Sequence, residues 1–344
     1  MKKFFLLFLL VFVTLAGAAG WFYLRVQRPY RAYSGSEQFV EIPAGAGSRT
    51  IGDRLVAAGV VRDEVTYRLA LWLSGKGRRL EAGEYRFDAS MTPIAVIDKL
   101  ARGDVYVINL TFPEGLSVAE MAKIADAHGF GPASAFESAA RDLEGYLFPD
   151  TYPLPRRTDA TKLVRMMTAQ FDHVVTPDLR RAAEAKGLSL RQVVTLASIV
   201  EKETARPDER PIVAAVYENR LRIGMALQCD PTVIYALERA GRYTGNLRRD
   251  DLAFDSPYNT YRYAGLPPGP IASPGRSSIE AVVHPAAVDF LYFVSRNDGS
   301  HVFATTLAEH NRNVQTWQVD YFRERKAEGK GQGAEGKGQR GRGR

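Results

Sequence analysis

The sequence predicts an α+β protein made of an N-terminal transmembrane helix, a small α+β module and a larger α+β catalytic domain. Two observations predict the fold class: strand-like and helix-like segments alternate irregularly after residue 37, and 45% of the 344 residues are hydrophobic, enough for more than one core. The predicted division is 1–25 cytoplasmic end and anchor, 26–36 connector, 37–110 module, 111–325 catalytic domain and 326–344 basic tail.

The N-terminal run Phe4–Leu24 contains 21 residues without a charge and follows Lys2 and Lys3. Its length suffices for one membrane-spanning helix. The aromatic residues 21–23 would form an interfacial belt, which favours retention as an anchor. The alternative is a cleaved signal peptide, for which residues 16–19 offer small side chains. Three positive charges flank the run on each side, so the charge bias does not set the orientation.

The segment 37–110 reads as a small α+β module. Its predicted elements are strands Gln38–Ile42, Gly83–Asp88 and Val105–Phe112 and helices Arg49–Gly59, Glu64–Leu73 and Ile94–Arg102. A strand, two helices and a strand in about fifty residues resemble the LysM-type glycan-binding module. The aromatic side chains alternate as core residues do, and we interpret them as core; they are Tyr67, Trp72, Tyr85 and Phe87.

The segment 112–187 is predicted to be mostly helical and contains the run Glu144–Tyr152. Its aromatic side chains and its carboxylates Glu144 and Asp150 could line a saccharide cleft. The alternative is a turn capped by Asp150 before a packed loop. The sequence leaves both interpretations open.

From residue 188 the chain has clear boundary signals. Ser189 and Gln192 have capping-box spacing, which predicts a helix from Leu190, and Asp230 before proline predicts a helix N-cap. Residues 254–275 form a long irregular stretch, which is typical of a segment that shapes a site. A hairpin is predicted over 290–305, and Thr306 with Glu309 caps a final helix.

Glu201 lies in the apolar helical run 196–204. A carboxyl buried among aliphatic side chains has a raised pKa, which suits the general acid of glycosidic bond cleavage. Glu203 lies roughly 200° around the helix from Glu201 and cannot share its wall. The alternative is that both glutamates are solvated.

Six motifs occur in one order along the chain: residues 196–204, 219–225, 227–235, 258–261, 265–271 and 281–286. Together they resemble the YceG-like family of endolytic murein transglycosylases, over about residues 37–323. The resemblance implies that Glu201 is the catalytic glutamate. It implies that Gln228, Asp230, Asn259 and Tyr261 bind substrate. Cys229 departs from the family pattern, in which a Thr or similar small residue is expected.

Two enzymatic courses and one non-enzymatic role are open. A hydrolase normally needs a second carboxylate, for which Asp150, Asp230 and Asp255 are candidates, whereas a lytic transglycosylase needs only one. The sequence identifies one candidate glutamate, which agrees with the lyase reaction. That reaction leaves 1,6-anhydro-N-acetylmuramic acid ends and so terminates nascent strands. The non-enzymatic alternative is a glycan-binding division protein.

The expected partners are peptidoglycan strands, the membrane and cell-wall synthesis proteins, with a single-pass inner-membrane location and an extracytoplasmic catalytic region. Nucleic acid is not expected as a partner, because most of the net charge of +7 is concentrated in one segment. Residues 323–344 contain eight Lys or Arg and three Glu, and the rest of the chain is near charge balance. Residues 327–344 lack large apolar side chains, which predicts disorder. The five histidines and one cysteine lack ligand spacing, so no metal or cofactor is expected.

Overall fold

The computed structural model describes residues 2–323 and 325, a mixture of helices and short strands as predicted. The predicted disorder of the tail at 326–344 lies outside the described residues. The chain divides into two compact units. The first contains the residues up to Asn109 and Pro153–Arg157, and the second contains Leu110–Tyr152 and the residues from Thr158 on.

The first unit begins with one long helix, α1 (Lys2–Gln27), in which Phe4–Gln27 is long and apolar enough to cross a membrane. Strand β1 (Gln38–Ile42) pairs antiparallel with β2 (Gly83–Phe87), and Val40 lies opposite Tyr85. The helices that follow β1 and β2 are α2 (Ser48–Ala57), α3 (Glu64–Ser74) and α4 (Pro93–Ala101).

Three of the four aromatic residues predicted as core are buried in this unit: Tyr67, Tyr85 and Phe87. Trp72 is 76% exposed, so its prediction as a core residue is wrong. At about 100° per residue, Trp72 lies roughly 140° around α3 from Tyr67 and points away from the core.

The second unit is mainly helical. Strands β3 (Ile108–Thr111) and β4 (Thr151–Leu154) pair, and the division between the units falls within them. The helices are α5 (Val118–Ala127), α6 (Ala133–Ala139), α7 (Ala160–Val174), α8 (Pro177–Ala185), α9 (Leu190–Glu203), α10 (Arg210–Arg222), α11 (Asp230–Arg239), α12 (Arg276–Val283) and α13 (Leu307–Val314). The predicted hairpin is confirmed as β5 (Tyr292–Ser295) and β6 (His301–Ala304).

Helix α9 is central to this unit and packs against α8, α10, α11 and α12. Its predicted capping box is confirmed, because the Ser189 and Gln192 side chains each bond to the other's backbone N–H. Residues 193–200 are all buried, so α9 is enclosed on every side along this stretch. The position of α9 fixes where the two glutamates at its C-terminal end can point.

Two boundary predictions differ in outcome. The cap of the final helix is confirmed, since Thr306 Oγ1 accepts from the Glu309 N–H, although a π-helical segment follows at Gln315–Asp320. The N-cap prediction for Asp230 is wrong: Cys229 occupies that position without a side-chain cap. The Asp230 carboxylate accepts from the Tyr261 hydroxyl instead.

Candidate active site

Glu201 and Glu203 project from the last turn of α9 into two different environments. The angular separation of roughly 200° that the helical period predicts is therefore observed as two separate sets of partners. Glu201 is the residue that the sequence predicts as the acid.

Glu201 is the buried anion of an ion pair. Its Oε1 lies 2.7 Å from Arg210 Nη2, and the two side chains are 5% and 8% exposed. Its Oε2 accepts from the Gly275 backbone N–H at 2.9 Å. Arg210 also contacts Ser277 and lies 3.3 Å from Glu114 Oε2. Both oxygens of Glu201 are thus occupied by donors of the protein.

Burial raises the pKa of the Glu201 carboxyl, and the Gly275 N–H and the Arg210 guanidinium partly offset that rise. A carboxyl in this arrangement is a poor proton donor, because protonation would leave a buried guanidinium without its closest partner. Because the side chain is only 5% exposed, little of the carboxylate is open to a substrate. The geometry suits a structural ion pair that fixes the start of α10 against α9.

The carboxyl of Glu203 has fewer N–H and O–H donors than that of Glu201. The Tyr217 hydroxyl donates to Oε1 of Glu203 at 2.8 Å, and no N–H or O–H group of the residues that the structure describes donates to its Oε2. Burial raises the pKa of the Glu203 carboxyl. Hydrogen bonds from Cys229 and Tyr217 partly offset that rise, and the charge of nearby Asp230 adds to it. Burial also raises the pKa of Tyr217, so its hydroxyl stays a donor.

Three of the four predicted substrate-binding residues gather beside Glu203 rather than Glu201. Tyr261 donates to Asp230 Oδ1 at 2.6 Å. Burial and this bond raise the pKa of Tyr261, and the charge of Glu203 adds to the rise. Gln228 is exposed, has a φ of 50° and donates its N–H to the Thr260 carbonyl at 3.2 Å. The exposed Gln228 and Asp230 side chains flank Cys229, whose buried thiol faces Glu203.

Asn259, the fourth of these residues, is 0% exposed. Its amide donates to the Leu252 and Phe254 carbonyls at 3.0 and 2.7 Å, and its Oδ1 accepts from the Tyr261 N–H at 2.9 Å. Both polar atoms of its side chain are thus bonded to residues between 252 and 261. Asn259 therefore holds the loop that presents Tyr261, and its side chain is not exposed at the surface.

The two carboxylates of the run Glu144–Tyr152 lie in different settings, and saccharide binding by this run stays a prediction. Glu144 lines a cleft of about 810 Å³ together with Tyr235, Tyr258 and Arg239. Its carboxylate accepts from the Tyr235 hydroxyl at 3.0 Å, and burial raises its pKa. Asp150 is exposed and accepts from the Thr151 N–H, as a turn residue does.

Comparison with known sequences identifies the family of this chain. The sequence profile of the YceG-like family matches residues 40–316. The chain belongs to the YceG-like family. A relative in Bacillus subtilis strain 168, named endolytic murein transglycosylase, is 32% identical over 79% of this chain and 82% of its own length.

A relative in Streptococcus pneumoniae, with the same name, is 31% identical over 91% of this chain, which spans 65% of that protein. A crystal structure of a yceG-like protein from Listeria monocytogenes superimposes with a TM-score of 0.52 at 30% identity, over 81% of this chain and 99% of that one. These similarities confirm the family that the motifs indicate.

The sequence reasoning missed Glu203 and its neighbour Tyr217 as site residues. The signal that could have found Glu203 was the Glu-Lys-Glu spacing, which places two acids on opposite sides of one helix. Tyr217 carries no motif of its own, because only the packing of α10 on α9 brings its hydroxyl to Glu203. Arg210 was missed for the same reason.

Proposed function

We propose that this chain is a peptidoglycan lytic transglycosylase, a lyase that cleaves the N-acetylmuramic acid–N-acetylglucosamine bond and leaves 1,6-anhydro ends. Family membership and the names of the relatives support this activity. The observation that carries the proposal is Glu203, a carboxyl with a raised pKa and one oxygen without an N–H or O–H donor, beside Gln228, Asp230 and Tyr261. Endolytic cleavage rests on the relatives.

In the proposed reaction, protonated Glu203 donates to the glycosidic oxygen as the bond from the muramic C1 to that oxygen breaks. The resulting carboxylate takes the proton of the same sugar's 6-hydroxyl, whose oxygen bonds to C1. No water is consumed, and Glu203 ends the cycle protonated. Tyr217 holds Oε1, which leaves Oε2 for the substrate.

Glu201 remains the residue that the sequence predicts for this role. Its ion pair with Arg210 at 2.7 Å argues against it, because a general acid must carry its proton and reach the substrate. We therefore assign the proton transfers to Glu203 and a positioning role to Glu201.

We also propose that α1 anchors the chain in a cell membrane, with the second unit on the extracytoplasmic side, where murein lies. The apolar run and the aromatic residues 21–23 support the anchor. A reporter fused after residue 40, active only outside the cytoplasm, should be active and membrane-bound. A soluble product lacking residues 1–19 would favour the signal-peptide alternative.

The first unit remains a proposed LysM-like module, and cell-wall synthesis proteins remain proposed partners. The β1–β2 pair with α2 and α3 between the strands supports the module. An unchanged affinity for murein strands after alteration of this unit would contradict a glycan-binding role.

Mass analysis of the glycan ends tests the reaction. Purified murein incubated with the full-length chain should give new muramic acid ends that are one water lighter than reducing ends. Ends that borohydride reduces as ordinary muramic acid would overturn the lyase assignment. No new ends at all would favour a non-enzymatic protein.

A peptidoglycan hydrolase is the second candidate, because one observation favours it. Burial is the main cause of the raised pKa of Glu203, and the Asp230 charge adds to it, so a second carboxylate lies near the proposed acid. Retaining and inverting glycosidases need carboxyl groups about 5–5.5 Å and 6.5–9.5 Å apart, respectively. The Tyr261 hydroxyl bonded to Asp230 ties up one of its oxygens, which favours the single-acid course.

A further inference from the structure

A cleft of about 840 Å³ in the first unit is lined by four arginines: Arg49, Arg68, Arg78 and Arg79. All four are exposed. Glu64 is the acidic residue in the lining, and it lies 3.9 Å from Arg68. Among the described residues, the other three arginines form no ion pair. The cleft therefore presents unneutralised guanidinium groups, which favour an anionic ligand.

A buried hydroxyl without a partner lines the same cleft. Tyr67 is 1% exposed, and its hydroxyl has no hydrogen-bond partner within the described part of the chain. Its ring packs so closely on Gly52 that a Cβ there would lie 2.5 Å from Tyr67 Cδ1. Burial raises the pKa of Tyr67 to about 12, so the hydroxyl remains a donor. An unsatisfied donor of this kind is costly unless a ligand oxygen accepts from it.

An apolar groove of about 720 Å³ adjoins this cleft, and Arg68 and Trp72 line both. One wall is α1, from Ala19 to Tyr23, and the other is an exposed face of α3. On that face Trp72 is 76%, Val65 57% and Leu73 44% exposed. A large apolar face of this kind marks an interaction surface.

The position of α1 indicates what covers that face. A helix over Phe4–Leu24 is about 31 Å long and matches the roughly 30 Å hydrocarbon core of a bilayer. The groove borders its last turns, where Phe22 and Tyr23 lie. The apolar face of α3 therefore lies at the boundary between acyl chains and headgroups, with the arginine cleft beside it.

We propose that this cleft binds the phosphate of an anionic phospholipid while Val65, Trp72 and Leu73 enter the membrane interface. The inference rests on the proposed anchor. Tyr67 and the arginines would donate to phosphate oxygens, and the acyl chains would fill the apolar groove. The first unit would then be held against the membrane by a second contact besides α1.

Tryptophan fluorescence of the full-length chain in vesicles tests this contact. The variant Trp21→Phe/Trp317→Phe retains only Trp72 in this three-tryptophan chain. Brominated acyl chains should quench Trp72, and aqueous iodide should not. Free access of iodide to Trp72, without quenching by brominated lipid, would overturn the proposal.

Two controls separate this proposal from the anchor. The variant Trp72→Phe/Trp317→Phe retains only Trp21, which lies in the apolar helix. Quenching of Trp21 but not of Trp72 by lipid contradicts docking and leaves the anchor intact. Absence of quenching at Trp21 contradicts the anchor itself, and with it the inference.

The headgroup is tested with phosphatidylglycerol mixed into phosphatidylcholine. Arg78→Gln/Arg79→Gln in the Trp72-only chain should require a higher phosphatidylglycerol fraction for half-maximal quenching. Arg102→Gln, an exposed arginine outside the cleft, should not. Equal behaviour of the two variants would overturn the phosphate assignment. Protection of Trp72 from iodide by murein oligosaccharides, without lipid quenching, would identify a glycan site instead.

Discussion

Replacing Glu201 by Gln should destabilise the second unit rather than only silence the enzyme. The change removes the charge that lies 2.7 Å from Arg210, in a pair whose side chains are 5% and 8% exposed. Breaking a buried pair from one side costs about 3–5 kcal/mol. Glu114 lies 3.3 Å from the same guanidinium nitrogen and is 46% exposed, so it compensates in part.

We therefore expect a loss near the lower end, about 3 kcal/mol of unfolding free energy. At about 2–4 °C per kcal/mol for a domain of 150–250 residues, the melting temperature should fall by about 6–12 °C. Thermal unfolding followed by circular dichroism measures it.

Glu280→Gln is the matched control, because its pair with Arg276 is 61% and 41% exposed and should contribute about 1 kcal/mol or less. An unchanged melting temperature for Glu201→Gln together with lost activity would refute this reasoning. Glu201 would then be the acid, as the sequence predicts.

Three further outcomes are expected. Gly145→Ala should cost about 2–4 kcal/mol, measured by thermal unfolding, because φ is 82° and a Cβ would lie 2.5 Å from Pro270 Cβ; a neutral change would contradict the packing. Burial raises the pKa of Glu203, and the acid form is the active one, so kcat/KM should fall as pH rises through a pKa above that of an ordinary glutamate. A pH profile of kcat/KM that falls at the pKa of an ordinary glutamate would contradict this prediction. Truncation after residue 326 should leave murein cleavage unchanged, since the tail has no apolar side chain larger than alanine to pack; lost activity would show that the tail is needed for cleavage.

The elements of the fold were largely predictable because local signals specify them. Strand Gln38–Ile42 was predicted with its exact bounds, and the capping box at Ser189 fixed the start of α9. The predictions that failed depended on tertiary packing. Trp72 has the pattern of a core residue, and only the packing of α3 leaves it exposed.

The sequence predicts which motifs belong to the candidate site but not how their side chains are arranged in space. The sequence identified α9 and the residues Gln228, Asp230 and Tyr261. It could not tell which of two glutamates faces them, because that depends on which helix packs on each side of α9. The apolar wall of Glu201 suggested an acid, yet that wall contains a buried arginine from α10.

The most direct test of the account is murein cleavage by Glu203→Gln. Gln can still accept from the Tyr217 hydroxyl, so the fold and melting temperature should be retained. The rate of formation of 1,6-anhydro ends should fall by at least about 100-fold, because the amide can neither donate nor recover the proton. Glu203→Gln with wild-type activity would contradict the assignment of the proton transfers to Glu203.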